Sequence, residues 1–327
     1  MAVFRFIHLS DLHFCLHPLR RNLRMLHRRR LWEQIDSFQN QARDLGLSTL
    51  VSPSSYDPAI TAAAARFCYD RRRIIDAIIV SGDLATTGKP IDLNPARSYI
   101  EDAALSGPYI NSFSQSLAAT GRRIYFLPGN HDMYRDDSGW PGSPHFHLML
   151  EKHLPNLTGS VGWWTRTKAG GQVLGCVYGD FCLRSVTDAG NVAFYHGRGR
   201  AYPDTLKKMV ADTIALKSSH DRITLIWLIH FAPFQCPTSL QLMDWQNVTK
   251  EAERLGVLCT LCGHTHEQSK IARDKHVVYC SGSAGSVEPV GESRVHVIEI
   301  DPDRSTAQRQ NFEYKAMDQS FQSVSSD

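Results

Sequence analysis

Five short apolar runs in this chain end on residues that bind metals, and this repeated ending constrains the fold more than any other feature. Val3 to Leu9 stops at Ser10-Asp11-Leu12-His13, and Asp76 to Val80 runs into Ser81-Gly82-Asp83. Arg123 to Leu127 leads to Pro128-Gly129-Asn130-His131-Asp132, Ile223 to Ile229 ends at His230, and Val257 to Cys262 delivers Gly263-His264-Thr265-His266. The runs are short, largely apolar and bounded by turn residues, as buried strands are. In an open α/β sheet the loops beyond the carboxyl ends of the strands form the ligand crevice. The pattern therefore expects Asp11, His13, Asp83, Asn130, His131, His230, His264 and His266 to converge on one crevice. For Gly-His-Thr-His the expectation is sharper: in an extended segment alternate residues share a side, so His264 and His266 both face the crevice.

Taken singly, these motifs have plainer readings. Asp11 and His13 suit a turn with a surface histidine, Asp83 a turn or helix cap, and His230 a satisfied strand-end histidine. Their joint occurrence at five strand ends is what points to metal. Two aspartates, an asparagine and several histidines are too many donors for one tetrahedral zinc, so they suit a pair of ions. Carboxylate, carboxamide and imidazole together favour Mn, Fe, Zn or Co over the all-oxygen sites of Ca and Mg. Two metals about 3.5–4 Å apart form a clamp for in-line displacement at phosphorus.

Between the motifs lies an ordinary α/β chain. Residues 14–75 form an excursion whose basic segment repeats leucines at roughly helical spacing, and Pro58 suits the first turn of a helix there. A helical region is expected over 96–119, a long loop region over 133–170, a hairpin around Tyr178-Gly179-Asp180 within 171–188, and helices from Pro203 and from Ser239. Strands are expected at 276–280 and 294–300. The organisation expected is one domain over 1–315 with an inserted helical segment at 14–75, followed by a disordered polar tail at 316–327.

Composition narrows the partners. The net charge of +3, from 36 Lys+Arg against 33 Asp+Glu, does not favour a polyanion such as nucleic acid. No apolar run approaches the ~20 residues that span a bilayer. The eight cysteines sit mostly in apolar runs, which fits a reducing, cytoplasmic setting. Cys259 and Cys262 lie three apart on a strand and so face opposite sides, as core residues rather than a metal pair. The basic run at 20–30 is read as a helix packed by its leucines with solvated arginines. His145, His147 and His196 lie on loops that could reach the crevice, and Arg198 and Arg200, in a Gly-rich loop, are candidates to hold a substrate phosphate or carboxylate.

The set Asp11-x-His13, Gly82-Asp83, Gly129-Asn130-His131-Asp132, His230 and Gly263-His264-x-His266 resembles the calcineurin-like metallophosphoesterase family, with all five blocks in the family's order. The resemblance implies a four-layer α-β-β-α sandwich of two mixed sheets with flanking helices. It implies one metal held by Asp11, His13, Asp83 and His266, and a second by Asp83, Asn130, His230 and His264. A hydroxide between the metals would attack phosphorus, His131 would protonate the leaving oxygen, and Asp132 would orient His131. The metals expected are Mn, Fe or Zn. Spacing around His230 and Pro233 is most similar to the bacterial class III cyclic-nucleotide phosphodiesterase-type members, which implies a small phosphodiester substrate; the insert at 14–75 departs from those compact enzymes and suits a bulkier diester or a triester. Nuclease, phosphomonoesterase and non-catalytic scaffold members are the alternatives, and similar phosphodiesterases are often homodimers.

Overall fold

The computed structural model describes residues 3–15, 56–101, 115–135, 139–150, 161–189, 197–273, 275–285 and 293–324. The basic run at 20–30 and His196 lie outside them. The first half of the chain supplies β1 (Phe4–Leu9), α1 (Pro58–Asp70), β2 (Ala77–Val80), α2 (Pro90–Glu101), β3 (Arg123–Phe126), α3 (His145–Leu150), β4 (Val161–Thr167) and β5 (Val173–Gly179). The second supplies β6 (Gly199–Arg200), α4 (Pro203–Ser219), β7 (Ile223–Leu228), β8 (Leu242–Met243), α5 (Trp245–Arg254), β9 (Cys259–Cys262), β10 (Ser269–Arg273), β11 (His276–Cys280), β12 (Arg294–Asp301), β13 (Thr306–Lys315) and β14 (Ser320–Val324).

Two six-stranded mixed sheets result, ordered β14-β13-β12-β1-β2-β3 and β10-β11-β9-β7-β5-β4. In the first, β1, β2 and β3 run parallel; in the second, β5, β7, β9 and β11 do. These central strands are buried almost throughout, as parallel strands covered on both faces must be. Helix α1 packs on β14 and α4 on β4, β5 and β7, giving the expected α/β sandwich. The start of α1 is set locally: Pro58 occupies the first turn, and the Asp57 side chain accepts from the Ala59 amide at 2.9 Å. Its Ala62–Ala65 run is buried and lets the helix approach closely. Trp164 on β4 ties the sheets together, stacking on Tyr125 of β3 at 3.9 Å between ring centroids and meeting Phe6 of β1 edge-on at 6.2 Å. Such aromatic pairs contribute about 0.5–1.5 kcal/mol beyond their buried area.

Four local expectations are corrected. The hairpin joins β4 to β5 and turns at Gly170-Gly171, both at positive φ, where only glycine is unstrained; Tyr178 and Gly179 belong to β5 itself. The helix expected from Ser239 starts at Trp245, because Leu242-Met243 pairs with β6 and Asp244 is left-handed (φ 62°). Within 133–170, expected as loop, lie α3 and β4. The tail expected to be disordered contributes β14, which is anchored by Phe321 between Phe67 of α1 and Tyr314 of β13. All eight cysteines are free, and all but Cys236 are buried. Among the described residues no helix is long and apolar enough to cross a membrane.

Candidate metal centre

The parallel strands of both sheets deliver their carboxyl ends to one place. The loops after β1 and β2 are zipped together by Asp11 N–H donating to Gly82 O at 3.1 Å and His13 N–H to Asp83 O at 2.9 Å. From the second sheet, the His264 amide donates to Asp11 Oδ2 at 3.0 Å, joining the loop after β9 to the loop after β1.

Backbone strain concentrates here. Asp11, His13, Asp83, His264 and His266 all have φ between 51° and 75°, five of the eight non-glycine residues described with positive φ. Each such residue costs on the order of 1–2 kcal/mol. The left-handed turn ends each strand abruptly and throws the side chain into the crevice. His264 and His266 therefore share a side through two left-handed residues, not through the extended alternation expected from the sequence. Glycines make the close approach feasible: a Cβ on Gly129 would lie 2.1 Å from Asp83 Oδ1, and one on Gly263 would lie 1.7 Å from Ser10 Oγ.

Two groups of side chains can each surround an ion. In one, single ligand atoms of Asp11, His13, Asp83 and His266 lie within 4.8 Å of one another; in the other, those of Asp83, His230 and His264 do. Asp83 is common to both. Asn130, the remaining candidate, points Oδ1 at His230 Nε2 from 3.1 Å, its Nδ2 donating to Tyr134 Oη at 2.7 Å. Across the centre, Asp83 Oδ2 lies 3.3 Å from His230 Nε2 and Asp11 Oδ1 lies 3.2 Å from His266 Nε2, while the Nε2 atoms of His13 and His266 face each other at 3.0 Å. His266 forms the open side, with a quarter of its side chain exposed. Three buried atoms aimed inward, Asp11 Oδ1, Asp83 Oδ2 and His264 Nε2, have no hydrogen-bond partner. An unsatisfied buried polar atom costs about 1–3 kcal/mol. A pair of cations fits this donor set, because it satisfies all three atoms and neutralises both carboxylates.

The electrostatics agree. Burial lowers His13 and His264 to about 3, leaving both neutral with lone pairs available. Burial works against charge on His230 too, but the Asp83 carboxylate lifts it to about 9. Against the same burial, His266 holds Asp11 and His230 holds Asp83 below the usual carboxylate range. His230 Nδ1 donates to the Ser81 carbonyl at 2.7 Å, which fixes the tautomer that offers Nε2 to a metal.

His131 is held apart from both groups. Its amide donates to Asp83 Oδ1 at 2.9 Å and its Nδ1 donates to the Thr86 carbonyl at 2.9 Å, leaving Nε2 as the functional nitrogen. Its ring meets that of His13 edge-on, 4.7 Å between centroids. The expected partnership with Asp132 is corrected: that carboxylate is buried and accepts from the amides of Leu84, Ala85 and Gly129 at 2.8–3.0 Å, so it braces the loops instead of the imidazole. Burial and the nearby Asp83 push Asp132 up to about 8, opposed by those three donors. Thr86, Ser81 and Tyr134 are the residues that sequence reasoning missed. Two of them act through backbone carbonyls, which leave no signature, while Tyr134 stands four residues after Asn130. Of the loop histidines, His147 lies 4.0 Å from Asp180, and neither it nor His145 joins a ligand group.

Two sheets whose strand ends assemble a shared-carboxylate pair of ligand groups make a candidate dimetal site. The sequence profile of the calcineurin-like phosphoesterases matches residues 4–268, and the chain belongs to that family. A search of curated proteins gave no match by sequence. Among solved structures the chain is similar to a dimetal phosphatase from Danio rerio, at 11% identity and a TM-score of 0.54 with 95% of each chain covered. It is also similar to GAP50, the anchor in the inner membrane complex of Plasmodium, at 10% identity and a TM-score of 0.53, covering 96% of this chain and 85% of that one. At such identities both likenesses concern the fold alone.

Proposed function

We propose that this protein is a dinuclear metal-dependent phosphodiesterase acting on small diesters, cyclic nucleotides among them. The observation that carries the reading is the sharing of Asp83 between two ligand groups, with His131 intact beside them. In this reading Asp11, His13, Asp83 and His266 hold one metal, and Asp83, Asn130, His230 and His264 hold the other. Bound there, two ions would supply Lewis acidity toward the phosphoryl oxygens and toward a water near neutral pH.

The chain's own residues do the rest. Asp83 and Asp11 fix where positive charge accumulates, and the Tyr134 hydroxyl turns Asn130 so that Oδ1 faces inward. The Thr86 carbonyl holds the His131 Nδ1 proton, so that when the ring is protonated the second proton sits on Nε2 and points toward the leaving oxygen. Retention of His131 and of every candidate ligand favours catalysis over a scaffold role.

Hydrolysis of bis(p-nitrophenyl) phosphate and of p-nitrophenyl phosphate, with metal analysis, tests the reading. Turnover of the diester in preference to the monoester, with two ions per chain, is the expected result. Monoester preference would overturn the diesterase assignment, and no turnover of either after adding Mn would overturn catalysis itself.

A further inference from the structure

In a cleft shared with Asn130 lies a buried arginine that the chemistry above leaves unused. Arg198 is 8% exposed. Its Nη1 donates to the Ala189 carbonyl at 3.2 Å, and its Nε is buried without a hydrogen-bond partner. Among the described residues no carboxylate pairs with it; the other arginines of this region are matched, Arg184 by Asp204 at 2.8 Å and Arg200 beside Asp188. An unpaired buried charge is costly unless an opposite charge arrives.

The surroundings say where that charge would come from. Arg198 lines a cleft with Asn130, Met133, Tyr134, Cys182 and Leu183, so it shares that cleft with a candidate metal ligand. Its walls are neutral: burial pushes the Cys182 thiol well up, and the remaining groups carry no charge. At about 10 Å³ the cleft has room for one water-sized group, so it admits a single oxygen of an anion and not a ring or chain. A guanidinium is the side chain suited to that task, offering directed N–H donors to a phosphate or carboxylate oxygen.

We infer that Arg198 binds a substrate oxyanion on the Asn130 side of the metal centre. The inference rests on the phosphoesterase reading and adds an anionic recognition element to it. The oxyanion comes either from the phosphoryl group at the metals or from a second anionic group on the substrate.

Two probes separate these sources: methylphosphonate, a phosphoryl group alone, and phosphonoacetate, which adds a carboxylate. Their binding to the metal-loaded full-length protein is measured calorimetrically for the native chain, Arg198→Met and Arg198→Lys. Arg198→Met is expected to weaken binding about 10- to 100-fold, with metal content unchanged and thermal stability equal or higher. Arg198→Lys, which keeps the charge but not the fork, falls between the two. Equal weakening for both probes assigns the oxyanion to the phosphoryl group, and weakening of phosphonoacetate alone assigns it to a second group. Unchanged affinity for both probes overturns the inference. So does loss of folding or a marked fall in thermal stability in Arg198→Met, which would mark the guanidinium as structural. Because binding is read without turnover, failure of diester hydrolysis would defeat the phosphodiesterase reading and leave the Arg198 result standing.

Discussion

The two sheets bring unlike halves to the centre. The loops of the first carry Asp11, Asp83 and Asn130, with His13 and His131; those of the second carry only imidazoles, His230, His264 and His266. Each ligand group draws on both sheets: one takes three members from the first and His266 from the second, the other takes Asp83 from the first and two histidines from the second. Two of the close contacts across the seam, Asp83 to His230 and Asp11 to His266, are accordingly acid to base. Neither sheet alone makes a site. Metal affinity is therefore tied to the docking of one sheet on the other, and ions that bind the assembled centre stabilise that docking.

The strongest way to break this comparison is to remove the residue common to both groups. Asp83→Ala should cost about 10³-fold or more in activity and strip metal from both groups, as read by metal analysis beside kinetics. If the variant kept two ions, the shared-carboxylate arrangement would be wrong. His131→Ala separates chemistry from metal holding within the first sheet: activity should fall about 10²- to 10⁴-fold with both ions retained. Unchanged activity on a diester with a poor leaving group would remove His131 from the acid role. Chelation has a smaller effect but touches both sheets. With free metal at about 100 times its dissociation constant, binding adds about 2.7 kcal/mol to stability. Treatment with a chelator should therefore lower the melting temperature of the native chain by several degrees and that of Asp83→Ala hardly at all. An equal shift in both would mean that the ions do not bridge the sheets.

Much of this centre is legible in the sequence because it rests on the most local of patterns, an apolar run that stops at a polar residue. Asp11, Asp83, Asn130, His230 and His264 all follow strands that the run alone marks out. How the side chains turn inward is not legible, since aspartate and histidine enter the left-handed region more readily than most residues but only packing decides which of them do, and His264 and His266 reach the crevice by a route the alternation argument does not describe. The Thr86 carbonyl behind His131 is invisible for a different reason: any residue supplies a carbonyl. Asp132, next in sequence to His131, illustrates the opposite error, because adjacency suggested a pairing that three backbone amides pre-empt. Similarly, β14 hides because it is largely polar and is anchored mainly by Phe321. Arg198 and Arg200 look alike in the sequence, and only burial and the presence of Asp188 tell them apart.

Buried imidazoles are treated in opposite ways according to whether a carboxylate dominates their surroundings, and pH sharpens that contrast at a smaller scale. On the second sheet His230 is raised to about 9 because Asp83 faces it. On the first, His8 of β1 and His296 of β12 are paired across the strands and fully buried. Burial lowers His8 to about 3, with Arg309 adding to the effect and Asp11 opposing it; burial, Arg309 and His8 itself push His296 well down, against the hydrogen bond that its Nδ1 donates to Asn311 Oδ1. For His8 the ordinary value of 6.5 applies to the unfolded chain and about 3 to the folded one, so below pH ~6.5 the unfolded state binds the extra proton. Stability from keeping His8 neutral is therefore complete above that pH and is lost as the pH falls toward 3. By pH 5 the loss amounts to about 2 kcal/mol. Urea unfolding at pH 7.5 and pH 5 measures it, with His8→Gln as the reference because glutamine does not titrate and can still donate to Ser81 Oγ, 2.9 Å from His8 Nε2. The native chain should lose about 2 kcal/mol more than the variant over that interval. Equal losses would show that His8 gains its proton in the fold as readily as in the open chain, and burial alone would then not be what keeps an imidazole of this core neutral.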